Sequence, residues 1–169
     1  MKRRVFLDVE ASSLSVDSYP IEVGWAEVDE EGIIVSRALL IRPAPDWSDW
    51  SDEAERIHGI DRGRLPELGH DAIEVANELD GAFGSDVVYS DAPEWETGWC
   101  NRLYVAASRR RSWRIGDALP LLRATAATRG DSFWLSMHLE EPRLHRADAD
   151  ARVLAEAYAE LCRRRSARR

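Results

Sequence analysis

Over residues 4–10, apolar and polar positions alternate with period two: Val5, Leu7 and Val9 fall on one face of a predicted strand, and Phe6, Asp8 and Glu10 on the other. Two carboxylates thus point the same way from an otherwise apolar strand. Their Cα atoms should lie roughly 6.5 to 7 Å apart, which suits oxygen ligands on one hard divalent cation or on two neighbouring ones. The plainer alternative is an edge strand with a solvated acidic face. Against it stand the depletion of Asp in strand interiors and the cost of burying an unpaired carboxylate. Small polar residues 11–19, closed by Pro20, predict a loop at the carboxyl end of this strand. Alternation resumes over residues 21–28, a turn follows at 29–32, and residues 33–41 complete an antiparallel hairpin.

Beyond the hairpin the period lengthens. Residues 43–51 hold Trp47 and Trp50 among Pro, Asp and Ser, a loop whose rings either stack on bases or pin the loop to the body. Ser51 can N-cap a short helix over 52–58 that Gly59 stops, leaving His58 at its carboxyl end, where a histidine is commonly satisfied by the helix dipole. A helix is predicted over 69–82 with Ile73, Ala76, Leu79 and Phe83 on its buried side, then a short strand at 86–90. Asp91 is placed to N-cap the next helix, which has Pro93 in its first turn. Trp95, Trp99 and Leu103 recur along that helix every four residues, with Glu96 one position off the stripe. Residues 111–115 read as a fifth strand, and 119–128 and 132–139 as helices. A last helix over 147–165 buries Val153, Leu154, Ala157, Tyr158 and Leu161. Asp150 falls one turn before Leu154 on that face, and an inward carboxylate needs a partner such as a metal. The order of elements describes an α/β protein, a five-stranded mixed sheet flanked by helices on both faces.

Composition narrows the classes. With 169 residues, 44% hydrophobic and 32% charged, the chain suits one globular domain with a sizeable core. Met1-Lys2-Arg3-Arg4 leads straight into the first strand and no apolar run approaches the ~20 residues needed to cross a bilayer, so a cytoplasmic protein without a membrane partner is expected. Cys100 and Cys162 are the only cysteines and carry no metal spacing, which argues against a disulfide framework or a zinc site. A net charge of −8 argues against coating nucleic acid through bulk electrostatics, while leaving room for an enzyme that grips one strand end locally. Lys2 is the only lysine; arginine clusters at Arg109, Arg110 and Arg111 and over residues 163–169. Arginine binds phosphate in a bidentate way that lysine cannot. For the terminal run a frayed, solvated tail is the plainer reading.

Four segments then come into line: Asp8-Val9-Glu10, Pro20-Ile21-Glu22-Val23-Gly24, Ile57-His58-Gly59-Ile60, and His145-Arg146-Ala147-Asp148-Ala149-Asp150-Ala151. In this order they resemble the DEDDh 3′-to-5′ exonucleases, a group that includes RNase T, the proofreading subunit of bacterial DNA polymerase III and the three-prime repair exonucleases. Asp-x-Glu alone is common; His-x-Ala-x-x-Asp-Ala at the start of an apolar-faced helix is far more specific. The middle motif departs from the family. One of its forms reads His-Asn-Gly, three residues and Asp, whereas Ser90-Asp91-Ala92-Pro93-Glu94-Trp95-Glu96 puts Glu96 on the aspartate and Asp91 on the asparagine.

The resemblance implies an RNase H-like fold, one exonuclease domain over residues 1–165 with a basic tail at 166–169, and hydrolysis of RNA or DNA to nucleoside 5′-monophosphates. It implies two cations, Mg²⁺ or Mn²⁺. Asp8, Glu10 and Asp150 would hold one, and Asp8 with Glu96, or alternatively Asp91, the other. Two such ions roughly 3.5 to 4 Å apart stabilise the attacking and leaving oxygens of a phosphodiester. His145 would be the general base, its ordinary pKa near 6.5 lying in the useful range. The expected partner is a single-stranded 3′ end of RNA or DNA, touched by Arg109, Arg110, Arg111 and His58; a homodimer is compatible with it. The competing expectation is a nucleic-acid-binding relative that has lost turnover through the altered middle motif. An RNase H-like endonuclease is disfavoured by His145.

Overall fold

A computed structural model describes residues 1–168; Arg169, the last position of the expected tail, lies outside the described residues. The sheet has five strands in the order β3-β2-β1-β4-β5. β1 (Arg4–Ala11) is central, with β2 (Pro20–Val28) antiparallel beside it and β3 (Ile34–Leu40) antiparallel beyond that. On its other side β4 (Val87–Ser90) runs parallel, followed by parallel β5 (Arg114–Asp117). The described residues form seven α-helices: α1 (Asp52–His58), α2 (Leu65–Leu68), α3 (Ala72–Phe83), α4 (Pro93–Ala106), α5 (Ala118–Thr125), α6 (Arg129–Leu139) and α7 (Ala147–Ser166). None is long and apolar enough to cross a membrane.

The alternation in β1 divides the core into two layers. Val5, Leu7 and Val9 pack with Val75, Leu79 and Phe83 of α3 and Leu103 of α4. Phe6 packs on the opposite face with Leu122 of α5 and Leu154 and Tyr158 of α7. Asp8 and Glu10 share the Phe6 face, so they emerge beneath the first turn of α7. A sheet with helices on both faces follows from a central strand that buries Val5, Leu7 and Val9 on one side and Phe6 on the other.

Several boundaries shift. The helix expected over 69–82 begins at Ala72, because Asp71 and Glu74 form a reciprocal capping box, and residues 65–68 make a separate turn of helix. Val75 takes the buried position expected for Ile73, which is exposed. α6 likewise starts early, at Arg129, on a box between Thr128 and Asp131. The fifth strand lies at 114–117, shifted toward the carboxyl side of its expected place. Asp91 does not cap α4: the N-cap is Ala92, without a side-chain bond. The reason is competition, since the Asp91 carboxylate pairs with Arg143 at 3.1 Å and the Ala92 N–H donates to Ser90 Oγ instead. In the terminal run, α7 continues through Ser166 and Arg168 forms a two-pronged ion pair with buried Asp131.

Candidate active site

The β1–β2 register places Glu10 opposite Glu22 and Asp8 opposite Gly24. Two glutamates facing each other across a ladder repel, so this pairing needs a counter-charge. It comes from the start of α7. Glu22 is buried and accepts hydrogen bonds from Arg146 Nε at 3.0 Å, from Arg146 Nη2 and from the Ala147 N–H at 2.9 Å. The Arg146 N-cap has no side-chain bond of its own, so Glu22 satisfies a free N–H of α7 from another element and sets negative charge against the positive end of the helix. Gly24 allows that approach: a Cβ there would lie 2.2 Å from the Ala147 carbonyl carbon and from the Asp148 nitrogen. The close seat of α7 on β2 brings Asp150 over β1, where it is buried.

Two carboxylate groupings result. Ligand atoms of Glu10, His145 and Asp150 lie within 4.8 Å of one another, and so do those of Asp8, Asp91 and Glu96. Burial, then the charge of Asp150, raises the Glu10 pKa to about 7. Burial also raises Glu96 to about 8, opposed by a hydrogen bond from Ser90. Asp8 is pushed well up by desolvation and then by Glu96, Glu10, Asp91 and Asp150. Asp150 is raised by desolvation although Arg143 and the Leu144 N–H, 3.3 Å away, favour its charged form. Glu96 Oε2 is buried with no hydrogen-bond partner. A crowded set of carboxylates, one oxygen orphaned and four pKa values raised, fits hard divalent cations, whose charge would remove the repulsion and fill the vacant valence.

The residues before α7 are held from both sides. Arg143 donates to the Asp91 carboxylate and, at 3.2 Å, to the Asp150 carbonyl, while Arg146 grips Glu22. Between them His145 is exposed, with φ +52°, in the left-handed region that most residues avoid. Backbone strain of this kind persists where neighbouring contacts fix it, and the flanking arginines supply those contacts. His145 also lines a cavity of about 510 Å³ together with Glu10, Leu14, Ile57, His58 and Trp99.

His58 reaches the same cavity from α1. It is buried, its Nδ1 accepts the Ile60 N–H at 3.0 Å, its Nε2 has no partner, and burial lowers its pKa. Both tryptophans of the 43–51 loop are used internally. Trp47 is buried against Tyr19, and Trp50 donates to Glu55 at 2.7 Å and stands nearly perpendicular to the His58 ring. The half-exposed aromatic surface near the carboxylates is Trp95, stacked on Trp99 at 5.6 Å. Arg109 to Arg111 follow the far end of α4, whose 14 residues put them about 20 Å from its amino end. Arg109 pairs with Asp80 and Asn77, and Arg111 lies over Trp113; Arg110 is exposed. Glu22 was legible only as part of a strand motif, and Arg143 not at all, because its partner is remote in sequence.

No family model matches the sequence, and no curated protein does. Solved structures do match. E. coli exonuclease I in its zinc-bound complex with single-stranded DNA superposes with a TM-score of 0.72 at 17% identity, over 99% of this chain and 42% of that chain. The same enzyme with a dT13 oligonucleotide gives 0.73 at 16% identity over 99% and 42% of the two chains. A moderately thermophilic exonuclease I from Methylocaldum szegediense gives 0.72 at 19% identity over 99% and 41%. This chain shares its fold with exonuclease I. At such identities the likeness is one of fold, the RNase H-like α/β architecture, and the chain spans about two-fifths of the length of these exonuclease I chains.

Proposed function

We propose that this chain is a metal-dependent 3′-to-5′ exonuclease that hydrolyses single-stranded nucleic acid, RNA or DNA, to nucleoside 5′-monophosphates. One observation carries the reading: two carboxylate groupings, Glu10 with His145 and Asp150 and Asp8 with Asp91 and Glu96, share strand β1, and Glu10 and His145 of the first line a nucleotide-sized cavity on this fold. Support also comes from solved structures of the same fold that hold single-stranded DNA. Residues 1–165 would make up the exonuclease domain and 166–169 a basic tail.

Asp8, Glu10 and Asp150 would hold one divalent cation, Mg²⁺ or Mn²⁺, and Asp8 with Glu96, or with Asp91, a second. When bound, such ions stabilise the attacking and leaving oxygens of the scissile phosphodiester. His145 would take the proton from the attacking water, a task its exposed ring at the cavity mouth can perform without disturbing the carboxylates. The cavity would take the terminal nucleoside, with Leu14 and Ile57 offering apolar surface to the base, and Trp95 a stacking face for the strand. Arg109, Arg110 and Arg111 could touch only a longer strand, because α4 separates them from Glu96.

A second reading is a relative that binds nucleic acid without turnover. It is favoured by the occupation of Asp91 by Arg143 and by the longer glutamate at position 96. One assay separates them: purified protein with Mn²⁺ or Mg²⁺ on matched RNA and DNA oligonucleotides, 5′-labelled when linear and internally labelled when circular. An exonuclease gives a ladder shortened from the 3′ end and spares circles. Cleaved circles would point to an endonuclease, and tight binding with no products to the turnover-deficient reading.

A further inference from the structure

The loop after β1 carries Ser13 and Leu14 on the cavity wall beside Glu10 and His145. The side chain of Asp49 ties it to the 43–51 loop. Asp49 accepts three hydroxyl hydrogen bonds: from Ser12 Oγ at 3.0 Å and Ser13 Oγ at 2.6 Å on one carboxylate oxygen, and from Ser15 Oγ at 2.9 Å on the other. Each hydroxyl oxygen in turn accepts a backbone N–H of the same loop. Ser12 takes that of Tyr19 at 3.0 Å, Ser13 that of Ser15 at 2.9 Å and Ser15 that of Asp17 at 3.1 Å. Ser12 and Ser13 are buried, whereas the next residue, Leu14, is 73% exposed.

A hydroxyl has one proton, and all three are committed to Asp49. Only an acceptor-only group with several lone pairs can receive them together, so a carboxylate is required and an amide would not serve. The three hydroxyls, Ser13 foremost, hold the Asp49 carboxyl below its usual range. A short Ser12 carbonyl contact to the Ser51 N–H, 2.9 Å, and the stacking of Trp47 on Tyr19 join the two loops further. The consequence is a rigid base under an exposed apolar side chain, where a loop of small residues would otherwise be mobile.

We propose that Asp49 is a positioning residue for substrate: by gathering Ser12, Ser13 and Ser15 it holds Leu14 against the cavity, so that a nucleoside entering it meets a preformed wall. This rests on the exonuclease reading for the identity of the substrate. It goes beyond that reading in giving a role to a residue remote from the metal carboxylates, one that acts through the serines and touches neither cation nor reacting atoms. A preorganised wall lowers the ordering cost of binding, so its loss should appear in KM more than in kcat.

The test compares wild type, Asp49→Asn and the milder Ser15→Ala by steady-state kinetics on a short oligonucleotide with Mn²⁺ and by backbone amide exchange. For Asp49→Asn, exchange at the Ser15, Asp17 and Tyr19 amides should rise at least about tenfold and KM about tenfold, with kcat within about threefold. Ser15→Ala should move exchange and KM the same way by a smaller factor, which guards against a variant that merely folds poorly. Unchanged exchange, or a fall in kcat at constant KM, would overturn the proposal. If wild type shortens no polymer, the functional reading fails by itself. The exchange comparison then still decides whether Asp49 orders this loop, and equal exchange in wild type and variant would refute it.

Discussion

The two carboxylate groupings draw on one strand and meet opposite fates. Glu10 and Asp150 sit among compensating groups: Arg146 lowers the Glu10 pKa, and Arg143 and the Leu144 N–H lower that of Asp150. Asp8 has no such relief, and Glu96 has only a hydrogen bond from Ser90. Glu96 is 1% exposed, one of its oxygens has no partner, and its pKa is raised to about 8. Asp91, the third member, is already paired with Arg143. On the proposed function, the difference teaches that the first grouping would be a prepared site, able to take a cation with little rearrangement. The second is a strained one, in which a cation would relieve more repulsion yet compete with Arg143 for Asp91.

The largest effect belongs to Asp8, which stands nearest both. Asp8→Ala should lower cleavage by at least about 10³-fold, because both proposed metal positions would use it, while the metal-free protein keeps or gains stability on losing a repelling charge. Appreciable cleavage by this variant would remove the shared ligand from the account. Next comes His145. His145→Ala should reduce kcat by roughly 10² to 10⁴-fold with Mn²⁺ binding nearly unchanged, since the prepared grouping keeps its carboxylates. A variant with normal turnover at neutral pH would return His145 to a structural role at the head of α7.

The comparison sharpens at the middle motif. If Glu96 completes the second grouping, Glu96→Gln should nearly abolish activity, and Asp91→Asn should leave most of it while freeing Arg143. The opposite pattern would assign the ligand to Asp91. Activity surviving both changes would confine the chemistry to the prepared grouping. Glu96→Asp, one methylene shorter, should retain turnover or raise it with Mg²⁺, whose geometric demands are stricter than those of Mn²⁺.

Much of the prepared grouping was legible in the sequence. Period two in β1 put Asp8 and Glu10 on one face, and the spacing of Asp150 from Leu154 turned it inward on α7. What escaped was every contact made across long separations. Glu22 is 124 residues from Arg146, and Asp91 is 52 from Arg143, so neither pair leaves a local pattern. Asp91 shows the cost of local rules: it stands where a helix cap belongs, and a stronger charged partner takes it. Asp49 was hidden for a related reason, since its serine partners lie in another loop and look like ordinary turn residues. The sheet and its helices were recoverable because their signals are periodic, whereas the starts of α3 and α6 moved where a capping box decided them.

A smaller effect should appear in stability. In the metal-free protein Glu10 and Glu96 hold protons up to about pH 7 and about pH 8, whereas in the unfolded chain they ionise near ordinary carboxylate values. The folded state therefore binds more protons across that window, and stability falls as pH rises through it. Asp8, whose pKa burial and its four neighbouring carboxylates push well up, adds to the fall. With EDTA, Tm should drop by on the order of 5 °C or more between pH 5 and 8, and Mn²⁺ should reverse the drop. A metal-free Tm that rose toward pH 8 would contradict the strained state assigned to the second grouping. The smallest effect is expected at the far end of α4: Arg110→Glu should change KM for a short oligonucleotide by less than about twofold, and a change confined to long strands would mark a distal contact.

The most direct test of the central claim, that both groupings hold cations, is the number of Mn²⁺ ions bound by wild type and by Glu96→Gln in equilibrium titrations near pH 8. Two ions per wild-type chain and one, retained by Glu10 and Asp150, in the variant is the predicted result. Equal stoichiometry in the two proteins, or no saturable binding to wild type, would contradict it.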